Sequence, residues 1–263
     1  MFKAATLVLF ILVLTSPCKA SVFLEDLTWT ELRDDIASGK TTIIIPIGGT
    51  EQNGPAIALG KHNIRVRILA GKIATQLGDA IVAPVISYVP EGTIDPPTAH
   101  MKFPGTITIP DATFNQLLIS AARSFKHAGF KTVVLIGDHG SYQTNETVVA
   151  AALNKEWAGS PRAFAALQYY TMSQGPYAAA LVEKGHAKSE IGTHAALADT
   201  SLQLAVAPET VRSDKIKSGT KFGPADGVYG GDPALSSVEL GQLGVDLIVN
   251  GTVSAIRKFI AFK

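Results

Sequence analysis

Polar residues are nearly absent from two short stretches of the chain, Thr42 to Ile47 and Lys131 to Ile136. Runs of strand length that stay apolar and β-branched throughout predict strands buried on both faces. Elsewhere the spacing changes to a helical one. Val66, Leu69, Ala70, Ile73 and Leu77 share one face, as do Leu117, Leu118, Ala121, Ala122 and Phe125 behind a capping Asp111. Thr147 to Trp157, His194 to Ala207 and Ser237 to Phe259 read as further helices, the last with internal glycines, and Ala80 to Val85 and Ala163 to Tyr169 as further strands. Near the start, Thr28-Trp29-Thr30-Glu31 has capping-box spacing, and Gly39 closes the helix that follows. Strands alternating with helices predict an α/β fold, a single layered domain with a mainly parallel central sheet flanked by helices.

Residues 1–20 follow a different pattern. Met1-Phe2-Lys3 is a short basic start, Ala4 to Leu14 is an unbroken apolar run, and Ser16 to Ala20 offers a small-x-Ala cleavage site. This is the pattern of a secretory signal peptide, and the run is short for a membrane span. It predicts an exported chain, periplasmic or secreted, with residues 21–263 as one domain and no membrane span after cleavage. The one cysteine, Cys18, falls within that leader. Disulfides and thiolate ligands therefore drop out, and a metal must sit on His, Asp, Glu or neutral oxygen.

Composition narrows the partners. The chain is 46% hydrophobic and 17% charged over 263 residues, enough to bury a sizeable core, which excludes disorder. Its formal charge is +1, from 23 basic and 22 acidic residues, so the broad positive field that nucleic-acid binding requires is missing. The expected partner is a small molecule.

In parallel sheets the chemistry gathers beyond the carboxyl ends of the strands. Two glycine-rich loops occupy such places: Gly48-Gly49-Thr50-Glu51-Gln52-Asn53-Gly54-Pro55 and Gly137-Asp138-His139-Gly140-Ser141-Tyr142. Each sets a potential metal ligand, Glu51 or His139, just past a buried strand.

These loops carry a family resemblance. Pro46 to Pro55 resembles the E-Q-H-G loop of the creatininase (creatinine amidohydrolase) family, and Leu59-Gly60-Lys61-His62 takes the place of its L-x-x-D segment. Phe103-Pro104-Gly105-Thr106 matches its F-P-G-T. Leu135 to Gly140 is similar to its strand ending in N-G-H-G, and His194 to Ser201 to its H-A-G-x-x-E-T-S. Gly231-Asp232-Pro233, with Glu239 beyond it, is similar to its late G-D-P segment. The matches occur in order from about Leu24 onward. The resemblance implies a layered α/β domain, commonly hexameric, that hydrolyses C–N bonds in small amides with one or two divalent metals.

Carried over position by position, the resemblance implies a changed metal site. Glu51 and His139 keep the family's ligand identities, while the bridging Asp becomes His62. The two ligands private to the second metal become Asn53 and Ser141. An imidazole does not bridge two metals as a carboxylate does, so the expected site is mononuclear on Glu51, His62 and His139. Three protein ligands plus water is the usual catalytic zinc arrangement, with iron and manganese as alternatives. His194 aligns with the family histidine that moves protons, and Asp199 with a family Glu that orients. Asn53, His100 and Ser141 are candidate substrate contacts. The expectation is an exported, metal-dependent amide or lactam hydrolase that forms a homo-oligomer. The rival reading, from the three altered ligand positions, is a non-catalytic binding or scaffold protein on the same fold.

Overall fold

The structure, a computed structural model, describes residues 21–217, 219 and 221–262; the leader expected over residues 1–20 lies outside them. The strands are β1 (Thr42–Ile47), β2 (Ala80–Val82), β3 (Thr132–Gly137), β4 (Arg162–Ala165), β5 (Gly192–His194) and β6 (Tyr229–Gly231). The helices are α1 (Trp29–Ala37), α2 (Lys61–Leu77), α3 (Asp111–Ala128), α4 (Gln143–Trp157), α5 (Gln168–Gln174), α6 (Pro176–Glu183), α7 (Lys188–Ile191), α8 (Leu197–Val206), α9 (Ser213–Lys217) and α10 (Val238–Ala261). The first four strands form one parallel sheet in the order β2-β1-β3-β4, and β5 pairs with β6 in a small antiparallel ribbon.

The two apolar runs supply the central strands, and every residue of β1 and β3 is buried, with Lys131 exposed just ahead of β3. Strand alternation divides their side chains between two cores. Ile43, Ile45, Val133 and Leu135 pack with Phe114 and Leu118 of α3 and with Val149 and Leu153 of α4. Ile44, Val134 and Ile136 pack on the other face with Leu69 and Ile73 of α2 and Val245 and Ile248 of α10. The result is three layers, α/β/α, as the alternation of elements predicts. Among the described residues no helix is long and apolar enough to cross a membrane.

The structure corrects several boundaries. The strand expected to reach Val85 ends at Val82, because Pro84 has no N–H for the ladder; pairing resumes only at the Ile47–Ile86 bridge. The stretch expected as one strand to Tyr169 stops at Ala165, and α5 begins at Gln168. Helix α4 starts at Gln143, ahead of the expected Thr147. Asp111 is the first residue of α3, and Pro110 takes the cap position. His194 belongs to β5, paired with Tyr229, and the chain turns at Ala195 (φ 53°) before α8 begins.

Candidate metal centre

From β1 the chain passes through α2 to β2 on one side, then through α3 to β3 on the other. The two helices pack on opposite faces of the sheet. The loops after β1 and β3 therefore open a crevice at the point where strand order reverses, the usual ligand position in such sheets. The Tyr142 hydroxyl joins the two loops. It accepts from the Asp138 and His139 amides at 3.1 and 3.0 Å and lies 2.5 Å from the Gly48 carbonyl, to which it donates. Asn63 of α2 accepts from the Gly49 amide at 2.9 Å; a Cβ on Gly48 would sit 2.2 Å from its Oδ1, so only glycine fits there. Thr106, in the F-P-G-T segment, accepts from the Gln52 amide at 3.1 Å and donates to the His100 carbonyl at 2.8 Å.

These ties aim a ring of imidazoles at Glu51, which is fully buried. Its Oε1 lies 2.7 Å from His62 Nε2 and 3.6 Å from both His194 Nδ1 and Lys61 Nζ. Its Oε2 lies 3.2 Å from His100 Nε2 and 3.3 Å from His139 Nε2. Above them opens a cavity of about 420 Å³ bordered by His62, His100, His139, His194, Tyr170 and Tyr229.

The hydrogen bonds of the other ring nitrogens set what each imidazole can offer. His62 Nδ1 meets Asp138 Oδ2 at 2.5 Å and its Nε2 meets Glu51 Oε1 at 2.7 Å, so the ring is fixed by a carboxylate on each side. Ser141 donates its backbone N–H to His139 Nδ1 at 3.2 Å, and its Oγ, which donates to the Pro90 carbonyl, lies 2.9 Å from the same nitrogen. Two imidazole nitrogens and a carboxylate converge on one point, and these ligand atoms lie within 4.8 Å of one another. Glu51 Oε2 has no hydrogen-bond partner. An electron-rich, buried convergence of this kind fits a divalent cation, and the two anchored imidazoles are the pattern of metal-bound histidines.

Buried charges stabilise the floor of the site. Arg65 pairs with Asp138 at 2.8 Å and with Asp199 at 2.8 Å, and Lys61 pairs with Asp199 at 2.6 Å. Tyr169 donates to Asp138 Oδ1 at 2.7 Å. Burial alone would raise the Asp199 carboxyl, but Lys61 and Arg65 outweigh it and hold the pKa well below the usual range. Burial is likewise overcome at Asp138 by Arg65 and His62, and at Glu51 by His62 and His139. His194 is pushed down to about 3, first by burial and then by Lys61. Burial pushes the Glu91 carboxyl, beside His139, up to about 8.

The sequence model of the creatininase family, creatinine amidohydrolase, matches residues 25–256 of this chain. The chain belongs to the creatininase family of hydrolases. The creatinine amidohydrolase of Pseudomonas putida is 26% identical over 258 residues, covering 90% of this chain and 97% of that protein. The mycofactocin precursor peptide peptidase of Mycolicibacterium smegmatis is 26% identical over 237 residues, covering 82% of this chain and 85% of that protein. A solved manganese-designated creatininase superposes with a TM-score of 0.73 at 22% identity, covering 92% of this chain and 100% of that one.

In this creatininase-family chain, Glu51, His62 and His139 come together as the aligned motifs imply. His62 lies in the first turn of α2, buried, rather than exposed ahead of the helix. His100 and His194 reach the same carboxylate. Asp199 secures Lys61, Arg65 and the Ala195 amide, the last at 3.0 Å. The structure places Asn53 and Ser141 outside the cavity lining. Asn53 donates to the Glu51 and Ala58 carbonyls at 3.0 and 3.1 Å and so braces the loop, and Ser141 orients His139. Lys61, Arg65 and Gln52 complete the site without being candidates by motif or ligand chemistry. The signal for the first two is that they sit one residue before and three after His62, on one helical face.

Proposed function

We propose that this chain is an exported metal-dependent hydrolase that cleaves a C–N bond in a small amide or lactam, using one divalent ion on Glu51, His62 and His139. The observation that carries the reading is the convergence of His62 Nε2 and His139 Nε2 on the buried Glu51 carboxylate, whose Oε2 has no hydrogen-bond partner, beneath a cavity of small-molecule size. The kinship to a creatinine amidohydrolase and a peptide peptidase supports C–N chemistry. Nitrogen and carboxylate donors suit zinc, with manganese and iron as alternatives. Export rests on the leader pattern of residues 1–20.

Glu51, His62 and His139 would hold a divalent ion, which would supply a water of pKa ~7 as nucleophile and a Lewis acid for the scissile carbonyl. The chain supplies the proton transfer. His194 Nε2 lies 2.9 Å from the Gln52 carbonyl and 3.1 Å from the Gln52 side-chain Nε2, and its Nδ1 faces Glu51 at 3.6 Å and Asp199 at 4.0 Å. With its pKa near 3, His194 is neutral at pH 7. Once protonated during attack, it is a strong acid and passes the proton to the departing nitrogen. Asp199 fixes the turn that presents His194, through the Ala195 amide.

Metal analysis of the purified mature protein, with a His62→Ala variant and a screen of small amides, lactams and esters, tests the reading. About one ion per chain, lost in the variant, together with turnover of an amide or lactam, is expected. Absence of bound metal after reconstitution with zinc, iron and manganese favours the non-catalytic binding protein instead, and turnover of esters alone removes the amide assignment.

A further inference from the structure

A second trio of donors shares the Glu51 carboxylate. Glu51, His100 and His194 offer ligand atoms within 4.8 Å of one another. Donor count alone would give this centre two ions. The surroundings of the second trio lead elsewhere.

His100 turns an N–H, rather than a lone pair, toward the Glu51 side. Gln52 Oε1 accepts from the Gly54 amide at 2.9 Å, which fixes the orientation of the side-chain amide, and its Nε2 then donates to His100 Nδ1 at 2.9 Å. The ring proton is left on Nε2, 3.2 Å from Glu51 Oε2, so no lone pair points inward from this residue.

Beyond His194 the position of a cation is taken by the chain itself. Lys61 Nζ lies 2.6 Å from Asp199 Oδ2 and 3.6 Å from Glu51 Oε1, and its side chain is fully buried. His194 Nδ1 faces the same two oxygens, at 4.0 and 3.6 Å. The ammonium and the imidazole Nδ1 thus look into one small space bounded by two carboxylates. Two carboxylates engage an ammonium that has three N–H donors, and Lys61 also borders the cavity.

We propose that Lys61 is the second cation of this centre. Its ammonium provides, on the Asp199 and His194 side of Glu51, the positive charge that a second metal would otherwise bring, and it limits the chain to one divalent ion. A divalent ion held by Glu51 and His194 would lie beside the ammonium, and like charges at such range in a buried site repel strongly. The ammonium also keeps Asp199 and Glu51 from facing each other uncompensated. The proposal rests on the single-ion reading above and adds the reason for it.

Zinc stoichiometry tests it without any substrate. Demetallated protein is titrated calorimetrically with Zn²⁺, and metal content per chain is measured after dialysis, for wild type, Lys61→Arg, Lys61→Ala and Lys61→Ala/His194→Ala. One zinc per chain is expected in wild type and in Lys61→Arg. Two are expected in Lys61→Ala, where Glu51, Asp199 and His194 lose their counter-charge, and one again in the double variant. Two zincs in wild type, one in a folded Lys61→Ala, or a second zinc that persists in the double variant each overturns the proposal. Should Lys61→Ala not fold, Lys61→Gln takes its place, and the wild-type count decides independently. No zinc in wild type would instead remove the hydrolase reading on which the proposal stands.

Discussion

Asp138 Oδ2 and His62 Nδ1 meet at 2.5 Å, and that contact determines which face of the imidazole turns toward Glu51. Asp138 is itself held by Arg65 and Tyr169, at 2.8 and 2.7 Å, so the histidine is oriented by a group that has little freedom to move. Outer carboxylates of this kind typically govern metal affinity by 10–100-fold. An Asp138→Asn variant should therefore bind zinc about 10–100-fold more weakly, read by competition with a chromophoric chelator. Unchanged affinity in a folded variant would mean that His62 is not a ligand or needs no such orientation.

Tyr142 gives a second expectation. Its hydroxyl serves two loop amides and a strand-end carbonyl in a fully buried setting. Tyr142→Phe leaves the His139 amide without its partner, while the Asp138 amide keeps the Ile47 carbonyl at 3.0 Å; an unsatisfied buried group costs about 1–3 kcal/mol, less whatever the loops recover by relaxing. The denaturation midpoint should fall, and zinc affinity should fall with it, because the same bonds fix the His139 loop against the Glu51 loop. A variant that melts like wild type would show that the loops are tied by other contacts.

How far the sequence anticipates this architecture depends on where each residue's partners lie. β1 and β3 are legible because burial on both faces leaves an unmistakable apolar run. His194 is misread as helical because β5 is three residues long and depends on pairing with Tyr229, far along the chain. Lys61 and Arg65 are passed over for a related reason. A cation on a helix is ordinarily solvated, and nothing local announces that Asp199, 138 residues from Lys61, and Asp138, 73 residues from Arg65, will bury these two. Glu51 and His139 are found through the motifs around them. The roles of Gln52 and Asn53 become visible only once the loop has closed on itself.

Gly241 of α10 tests the packing beneath the site. A Cβ there would lie 1.8 Å from the Ser201 carbonyl oxygen of α8, a backbone atom that cannot swing aside. Alanine in a helix interior normally gains up to about 1 kcal/mol over glycine. Here the clash should reverse the sign, and Gly241→Ala is expected to destabilise by about 1–3 kcal/mol, the usual cost of overpacking. Thermal melting would check this; a raised midpoint would mean that α8 and α10 pack less closely than described.

Glu146 of α4 carries the clearest pH dependence. Its side chain is fully buried, Oε2 has no partner, and Oε1 reaches only Gln143 Nε2, at 3.4 Å. Burial pushes its pKa from the ordinary 4.5 up to about 8. A raised carboxyl pKa means that the folded chain keeps a proton which the unfolded chain has released. Below pH 4.5 both states hold it and the group contributes no slope. Between 4.5 and 8 the unfolded state binds fewer protons, so stability falls as pH rises. Above 8 the folded carboxyl ionises too, and the loss is complete. At about 1.4 kcal/mol per pH unit, the total is on the order of 5 kcal/mol. Glu146→Gln keeps the shape and removes the proton, so its stability relative to wild type should grow steadily from pH 5 to pH 8. Denaturant unfolding of both proteins across that range would show the two curves diverging. Parallel curves would mean that Glu146 ionises in the folded protein as an ordinary carboxylate does, with a counter-charge or water reaching it inside the core.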